Sequence, residues 1–296
     1  MSSARVGPPA VPARRWARVF LALTAVGAFI ALTIAALYRP AGQAVDQFTF
    51  EVIASHTRVG ALAQWFEVER HALVVLIVGT LLAMAVAGAR HRFALAARVG
   101  VLVVGANVST QILKNWLLRR PYLGVGYDLP NSFPSGHATA LLSLAFALTI
   151  VTAQRFRALT ATVLAVVAAI GSLVIVASGW HRPSDLLGAL AVVMVWALVL
   201  CPQEVPQRRH DVWETLTLAV SAAALVVVGA LAWAAAGAMS QVVKATLGGA
   251  TYTQLAGAHP TLVTATSVVV PVSLVAVYLL CLQTVAALQS GRRGRS

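Results

Sequence analysis

The chain carries eight apolar blocks of close to 20 residues each, separated by short polar connections, and this pattern constrains its fold more than any other feature. A block of that length crosses a hydrocarbon core as a helix. The blocks lie at about 19–38, 71–89, 94–114, 135–153, 158–178, 184–201, 214–236 and 262–287. With 59% hydrophobic and only 10% charged residues, the blocks lack the charged face that a soluble amphipathic helix presents. The expected fold class is therefore all-α, a polytopic membrane helical bundle. Because the first block runs from Val19 to Leu37 with no small-residue cleavage site, it reads as an anchor.

A net charge of +13 raises the question of nucleic acid, but the basic residues form short clusters between spans. Arg5, Arg14, Arg15 and Arg18 precede the first span, and Arg90, Arg92 and Arg98 flank the third. Arg155, Arg157, Arg208, Arg209, Arg292, Arg293 and Arg295 fall in every second connection thereafter. These are topogenic charges, and the positive-inside rule assigns them, with both termini, to the cytoplasm. Asp46, Glu51, Glu67, Glu69, Asp128 and Asp185 fall on the other side. The expected partner is thus the bilayer, with no nucleic acid, and the expected location is the cell membrane. Cys201 and Cys281 lie near cytoplasmic span ends, where reduced thiols are expected.

The organisation expected is an N-terminal tail (1–18), a six-span core (19–201), a linker (202–213), two additional spans (214–287) and a basic tail (288–296). Residues 39–70 read as a polar outer loop whose Phe48, Phe50, Val52 and Ile53 can form a short interfacial helix. The loop 237–261 either lies over the site or merely connects helices. Oligomeric state is not legible.

Two motifs carry chemistry. Pro134-Ser135-Gly136-His137 opens the fourth span. A Pro-Ser-Gly turn at a helix start points free N–H groups outward at the positive end of the helix dipole, a cradle for phosphate. His137 in that first turn has no evident packing role and suits protonation of a leaving oxygen. His181-Arg182-Pro183-Ser184-Asp185 opens the sixth span. There Pro183 fits the first helical turn and Asp185 can cap it. The same carboxylate can instead hold one ring nitrogen of His181 and leave the other nucleophilic.

Upstream, Asn107, Gln111 and Lys114 share a helical spacing, the two amides reading as interhelical hydrogen-bond partners and Lys114 as a functional cation. Pro121 disfavours helix at Arg120, so the third span is expected to end near Arg119 and release Arg120 to grip phosphate oxygens. Trp180 reads as an interfacial residue. The remaining histidines (His56, His71, His91, His210, His259) fall in loops or at span ends. No zinc-type cluster or P-loop appears, and the chemistry inferred needs no cofactor, neither metal nor nucleotide.

Over about residues 71–201 this arrangement resembles the type 2 phosphatidic acid phosphatase superfamily, the membrane-bound bacterial type. The pattern there is Lys, six residues, Arg-Pro; then Pro-Ser-Gly-His; then Ser-Arg, five residues, His, three residues, Asp. The resemblance implies that His181 attacks phosphorus to form a phosphohistidine, Asp185 orients it, and His137 protonates the departing lipid oxygen. Lys114, Arg120, Ser135 and Gly136 would hold the phosphoryl oxygens. Two departures stand out. Five residues separate Lys114 from Arg120, and Val174-Ile175 occupy the Ser-Arg position. Arg182 or Arg119 is the expected substitute for the missing arginine. The expected activity is hydrolysis of a lipid phosphate, an isoprenoid phosphate or diphosphate favoured, at the outer face. Transfer of the phosphoryl group to an alcohol, or lipid binding without turnover, are the alternatives.

Overall fold

A backbone in lipid finds no water to hydrogen-bond, so each apolar block must satisfy its own N–H and C=O groups, and the helix does so within one segment. The computed structural model describes residues 11–56, 68–125, 131–204 and 212–290. Among them all regular structure is helical: α1 (Val11–Tyr38), α2 (Pro40–His56), α3 (Val68–Gly88), α4 (Phe93–Ile112), α5 (Gly136–Val151), α6 (Gln154–Ala177), α7 (Pro183–Leu200), α8 (Val212–Ala234), α9 (Ala236–Leu247), α10 (Tyr252–Ala258) and α11 (Pro260–Ser290). The chain is an all-α polytopic bundle. Six helices (α1, α4, α6, α7, α8 and α11) are long and apolar enough to cross a membrane; the apolar part of α3 and all of α5 are shorter. At 16 residues, α5 rises about 24 Å, less than a typical hydrocarbon core. Residues 1–10 and 291–296 of the tails, 205–211 of the linker, and residues 57–67 and 126–130 lie outside the described residues.

α7 is the axis of the bundle. Of its apolar window 61% is buried, against 6% for α8, because α1, α4 and α5 all pack along it. Alanine-rich faces let these helices approach closely: Ala138 and Ala145 of α5, Ala161, Ala165 and Ala168 of α6, and Ala189 and Ala197 of α7 are all buried. α11 lies along α6 and α8, with Tyr278 hydrogen-bonded to Ser172 at 2.9 Å.

Three local features position the site. α4 does not run regularly to Arg119, as Pro121 alone predicts. Its α-helical part ends at Ile112, a π-helical turn comes next over Leu113–Leu117, and Leu118 is extended. A π turn inserts one residue per turn and re-aims the chain beyond it. α2 is a 17-residue helix that folds back against α1, with Phe48, Val52 and Ile53 buried in the protein. Glycine at position 42 is obligatory for this close return, because a Cβ there would stand 1.8 Å from the Ala35 carbonyl oxygen. The buried Gln43 then donates to the Leu37 carbonyl at 2.7 Å and the Pro121 carbonyl at 2.9 Å, tying α2 to the segment after α4. Finally, Gly188 leaves room for the buried Phe133 ring, whose nearest atom would lie 2.5 Å from an added Cβ. That contact seats the α5 entry on α7.

Candidate active site

The α6 helix ends in a Schellman turn. Gly179, at φ +78°, occupies the left-handed position, and its N–H and that of Trp180 return to the Val176 and Ile175 carbonyls at 2.9 and 3.3 Å. The chain then delivers His181 directly to the start of α7. There Arg182 is the extended N-cap residue and Pro183 takes the first helical position, where a missing N–H leaves no bond unmade. Asp185 turns back over this start. Its Oδ2 accepts from the Arg182 N–H at 3.0 Å, from the Ser132 hydroxyl at 2.7 Å, and faces His181 Nδ1 at 3.2 Å. Capping and histidine contact, alternatives in the sequence, are made by the same oxygen. With the proton on Nδ1, His181 Nε2 keeps its lone pair. Asp185 is fully buried and His181 is 6% exposed, yet among the described residues Asp185 Oδ1 has no hydrogen-bond partner.

The α5 start lies alongside. Ser135 is its N-cap, its hydroxyl accepting from the Ala138 N–H at 3.2 Å. The Ser135 N–H donates to the Asp185 carbonyl at 3.0 Å. This bond joins the two helix starts, so two positive dipole ends converge at one place. His137, half-buried, sets its ring 5.9 Å from the His181 ring, edge to face, and 5.4 Å from that of Trp180. Trp180 thus packs against a site histidine. Asn131 holds the entry to α5, donating to the Lys114, Leu118 and Phe133 carbonyls; the sequence reading missed it.

The cations fall into two classes. Arg120 and Arg182 have side chains only 6% exposed, whereas Arg119 is exposed. No hydrogen bond or ion pair joins Arg119 to the cluster among the described residues. Arg182 lies over the Phe50 ring at 5.9 Å and its Nε donates to Gln47 Oε1 at 3.1 Å. Arg120 Nη1 stands 3.7 Å from Asp46 Oδ2 and makes no hydrogen bond among the described residues. Burial, and next the Arg182 charge, lower the Arg120 pKa. The two guanidiniums thus lie together beside the Asp46 and Asp185 carboxylates, and Arg120 Nη1 keeps a donor that an anion can take up. Lys114 is half-buried in the π turn and Gln111 reaches Gly136, where its Nε2 would lie 3.1 Å from an added Cβ. Asn107 bridges to Ser143 at 3.1 Å, an interhelical bond. Ile175, at the absent arginine's position, is buried in the apolar core.

The larger omission concerns α2. Asp46 accepts from the Ser184 N–H at 3.1 Å and the Ser184 hydroxyl at 2.6 Å, capping α7 from another helix. Burial, with Asp185 nearby, raises its pKa to about 6 against the opposing pull of Ser184 and Arg120. Gln43, Asp46 and Gln47 at i, i+3 and i+4 form a polar stripe on one face of α2. That spacing, beside Phe48, Val52 and Ile53, was the available signal that this helix is buried. Among the described residues no three His, Cys, Asp or Glu side chains gather as metal ligands.

Residues 95–209 match the model of the PAP2 superfamily, which covers α4 to α7 and every site residue named except those of α2. Neither the curated proteins nor the solved structures contain a match. The superfamily implies phosphatase-type activity on phosphate esters, and the likeness of this chain to it extends over residues 95–209.

Proposed function

We propose that the protein is an integral membrane lipid phosphatase acting through a phosphohistidine on a lipid phosphate or diphosphate, an isoprenoid carrier favoured. The observation that carries this reading is the buried His181–Asp185 pair facing His137 where the α5 and α7 starts converge. In the first step His181 Nε2 attacks phosphorus and the P–O bond to the lipid breaks. Protonated His137 gives its proton to the departing oxygen. In the second step His137 takes a proton from water, which attacks phosphorus and breaks the P–N bond, releasing phosphate and restoring His181. Asp185 holds the ring orientation in both steps. Arg120, Arg182, Lys114 and the Ser135 and Gly136 backbone neutralise the equatorial oxygens, with Arg182 in place of the absent arginine. The distribution of basic residues supports an outward-facing site at the cell membrane, with both termini cytoplasmic.

The test is phosphate release by purified wild type and His181→Ala, in detergent with EDTA, from isoprenoid diphosphates, phosphatidate and phosphatidylglycerophosphate. Turnover that vanishes in the variant supports the reading. No release from any of these lipids by the wild type overturns it.

A further inference from the structure

A cavity of about 360 Å³ lies between α2, the segment after Pro121 and the α9–α10 region, separate from the histidines. We propose that it binds an uncharged, hydroxyl-rich group of the polyol or glycosyl class. Its polar lining comes from Gln47, Glu51, Tyr122, Thr246, Thr251 and Tyr252. Hydroxyls and an amide both donate and accept, a carboxylate accepts, and aromatic rings offer faces to C–H groups. This is the set of groups that a vicinal diol or sugar ring satisfies. Among the described residues no Lys or Arg lines the cavity, while Glu51 does, so a second phosphate is disfavoured there. The volume equals that of about a dozen liquid waters, room for a ring-sized ligand.

The cavity is built on a core of its own. Phe48 and Val52 of α2 pack with Val242 of α9, Leu255 of α10 and Leu262 and Val263 of α11. Tyr252 meets the Phe48 ring at 6.1 Å. It also has a direct link to the histidine site. Gln47 Nε2 donates to Glu51 Oε1 at 2.8 Å inside the cavity wall, and Gln47 Oε1 accepts from Arg182 Nε at 3.1 Å. One amide therefore belongs to both sites, so a ligand that engages Glu51 or Gln47 bears on the position of Arg182. The ligand is either the hydroxylated head group of the phosphorylated lipid or a separate small molecule.

The experiment has two arms, on full-length protein in detergent. In the first, saturation-transfer NMR with glucose, myo-inositol and glycerol compares wild type with Thr246→Val/Tyr252→Phe and, separately, with Ala250→Trp, which fills the cavity without removing a hydroxyl. Thermal unfolding verifies that each variant folds. The expected result is transfer to at least one of the three probes in wild type and its loss in both variants. This arm does not rest on the phosphatase reading. The second arm does. It compares kcat/KM for phosphatidylglycerophosphate with that for phosphatidate of the same acyl chains. A preference for the glycerol-bearing lipid that falls at least fivefold in both variants assigns the cavity to the substrate head group. An unchanged ratio alongside a positive first arm assigns it to a separate polyol. Absence of transfer from all three probes, with an unchanged ratio, overturns the proposal, as does displacement of bound probe by ethanolamine, which would make it an ammonium site.

Discussion

Asp185 and Glu204 stand at opposite ends of α7, each an acid near arginines, and they are used differently. Glu204 engages both oxygens: Oε1 on Arg92 and Gln289, Oε2 on Arg157. Its backbone N–H reaches the Gln289 carbonyl at 2.9 Å, and Arg14 reaches its carbonyl at 3.4 Å. It thereby pins α1, α6, α11 and the start of α4 together. Among the described residues, what remains unpaired at that end are guanidinium N–H groups of Arg18 and Arg157. At the other end Asp185 concentrates three donors on Oδ2 and, among the described residues, leaves Oδ1 bare, while Arg120 Nη1 is buried without a hydrogen bond to any of them. A saturated acid is a clamp. An acid with a spare oxygen, beside a histidine and an arginine with a spare donor, retains the capacity to act on something else.

The largest effect that tests this contrast is His181→Ala, expected to lower phosphate release by on the order of 10³-fold or more, about 4 kcal/mol of transition-state stabilisation. Asp185→Asn should come next at roughly 10²-fold in kcat, since the ring loses the acceptor that fixes its tautomer. An equal or smaller loss in His181→Ala than in Asp185→Asn would refute the assignment of nucleophile and orienter. Glu204→Gln should instead cost about 2 to 3 kcal/mol of stability with kcat unchanged, read as a fall in Tm.

That clamp also has a pH signature. Burial works upward on the Glu204 pKa, but the Arg157 and Arg92 guanidiniums prevail and hold it below the usual carboxylate range. Its contribution is therefore present above the unfolded pKa and lost as pH falls through the folded value. Glu204→Gln should flatten the acid limb of the stability profile. A full acid limb in the variant would show that Glu204 is not its source.

Asp46 has the opposite sign. Its folded pKa, about 6, exceeds the ordinary 3.8, so its contribution is fully present below the unfolded value and lost as pH rises through about 6. Relative to Asp46→Asn, the wild type should lose about 1 kcal/mol of stability between pH 5 and pH 7. Parallel profiles of the two proteins would contradict that. The smallest effect concerns the exposed Arg119: Arg119→Ala should stay within about twofold of wild type, and Arg182→Ala should lose at least tenfold, some 1.4 kcal/mol. Near-normal activity in both would eliminate Arg182 and Arg119 as replacements for the arginine absent at Ile175.

Much of the site was legible because it is local. His181 and Asp185 are four residues apart at a helix start, and Ser135, Gly136 and His137 are consecutive, so helix geometry alone brings each set together. Asn107 and Trp180 differ in kind: Asn107 found its partner on α5 as its type predicts, while Trp180 took up a ring contact with His137 that hydropathy does not encode. Asp46 and Gln47 lie 138 and 135 residues from their partners Ser184 and Arg182. Their stripe indicated a buried face without naming what it faces.

The sequence by itself determined the all-helical, multi-pass architecture, because apolar length and the absence of water leave the backbone no other way to satisfy its polar groups within one segment. It also determined the two helix starts and their histidines, through proline, serine and aspartate acting within one turn. Tertiary structure alone decided that α2 returns beside α7, that the α4 end rewinds as a π turn, and that α9 and α10 enclose a cavity against α2. These depend on contacts such as Gly42 against Ala35 and Gly188 against Phe133, where distant segments meet and each partner's fit exists only once both are folded.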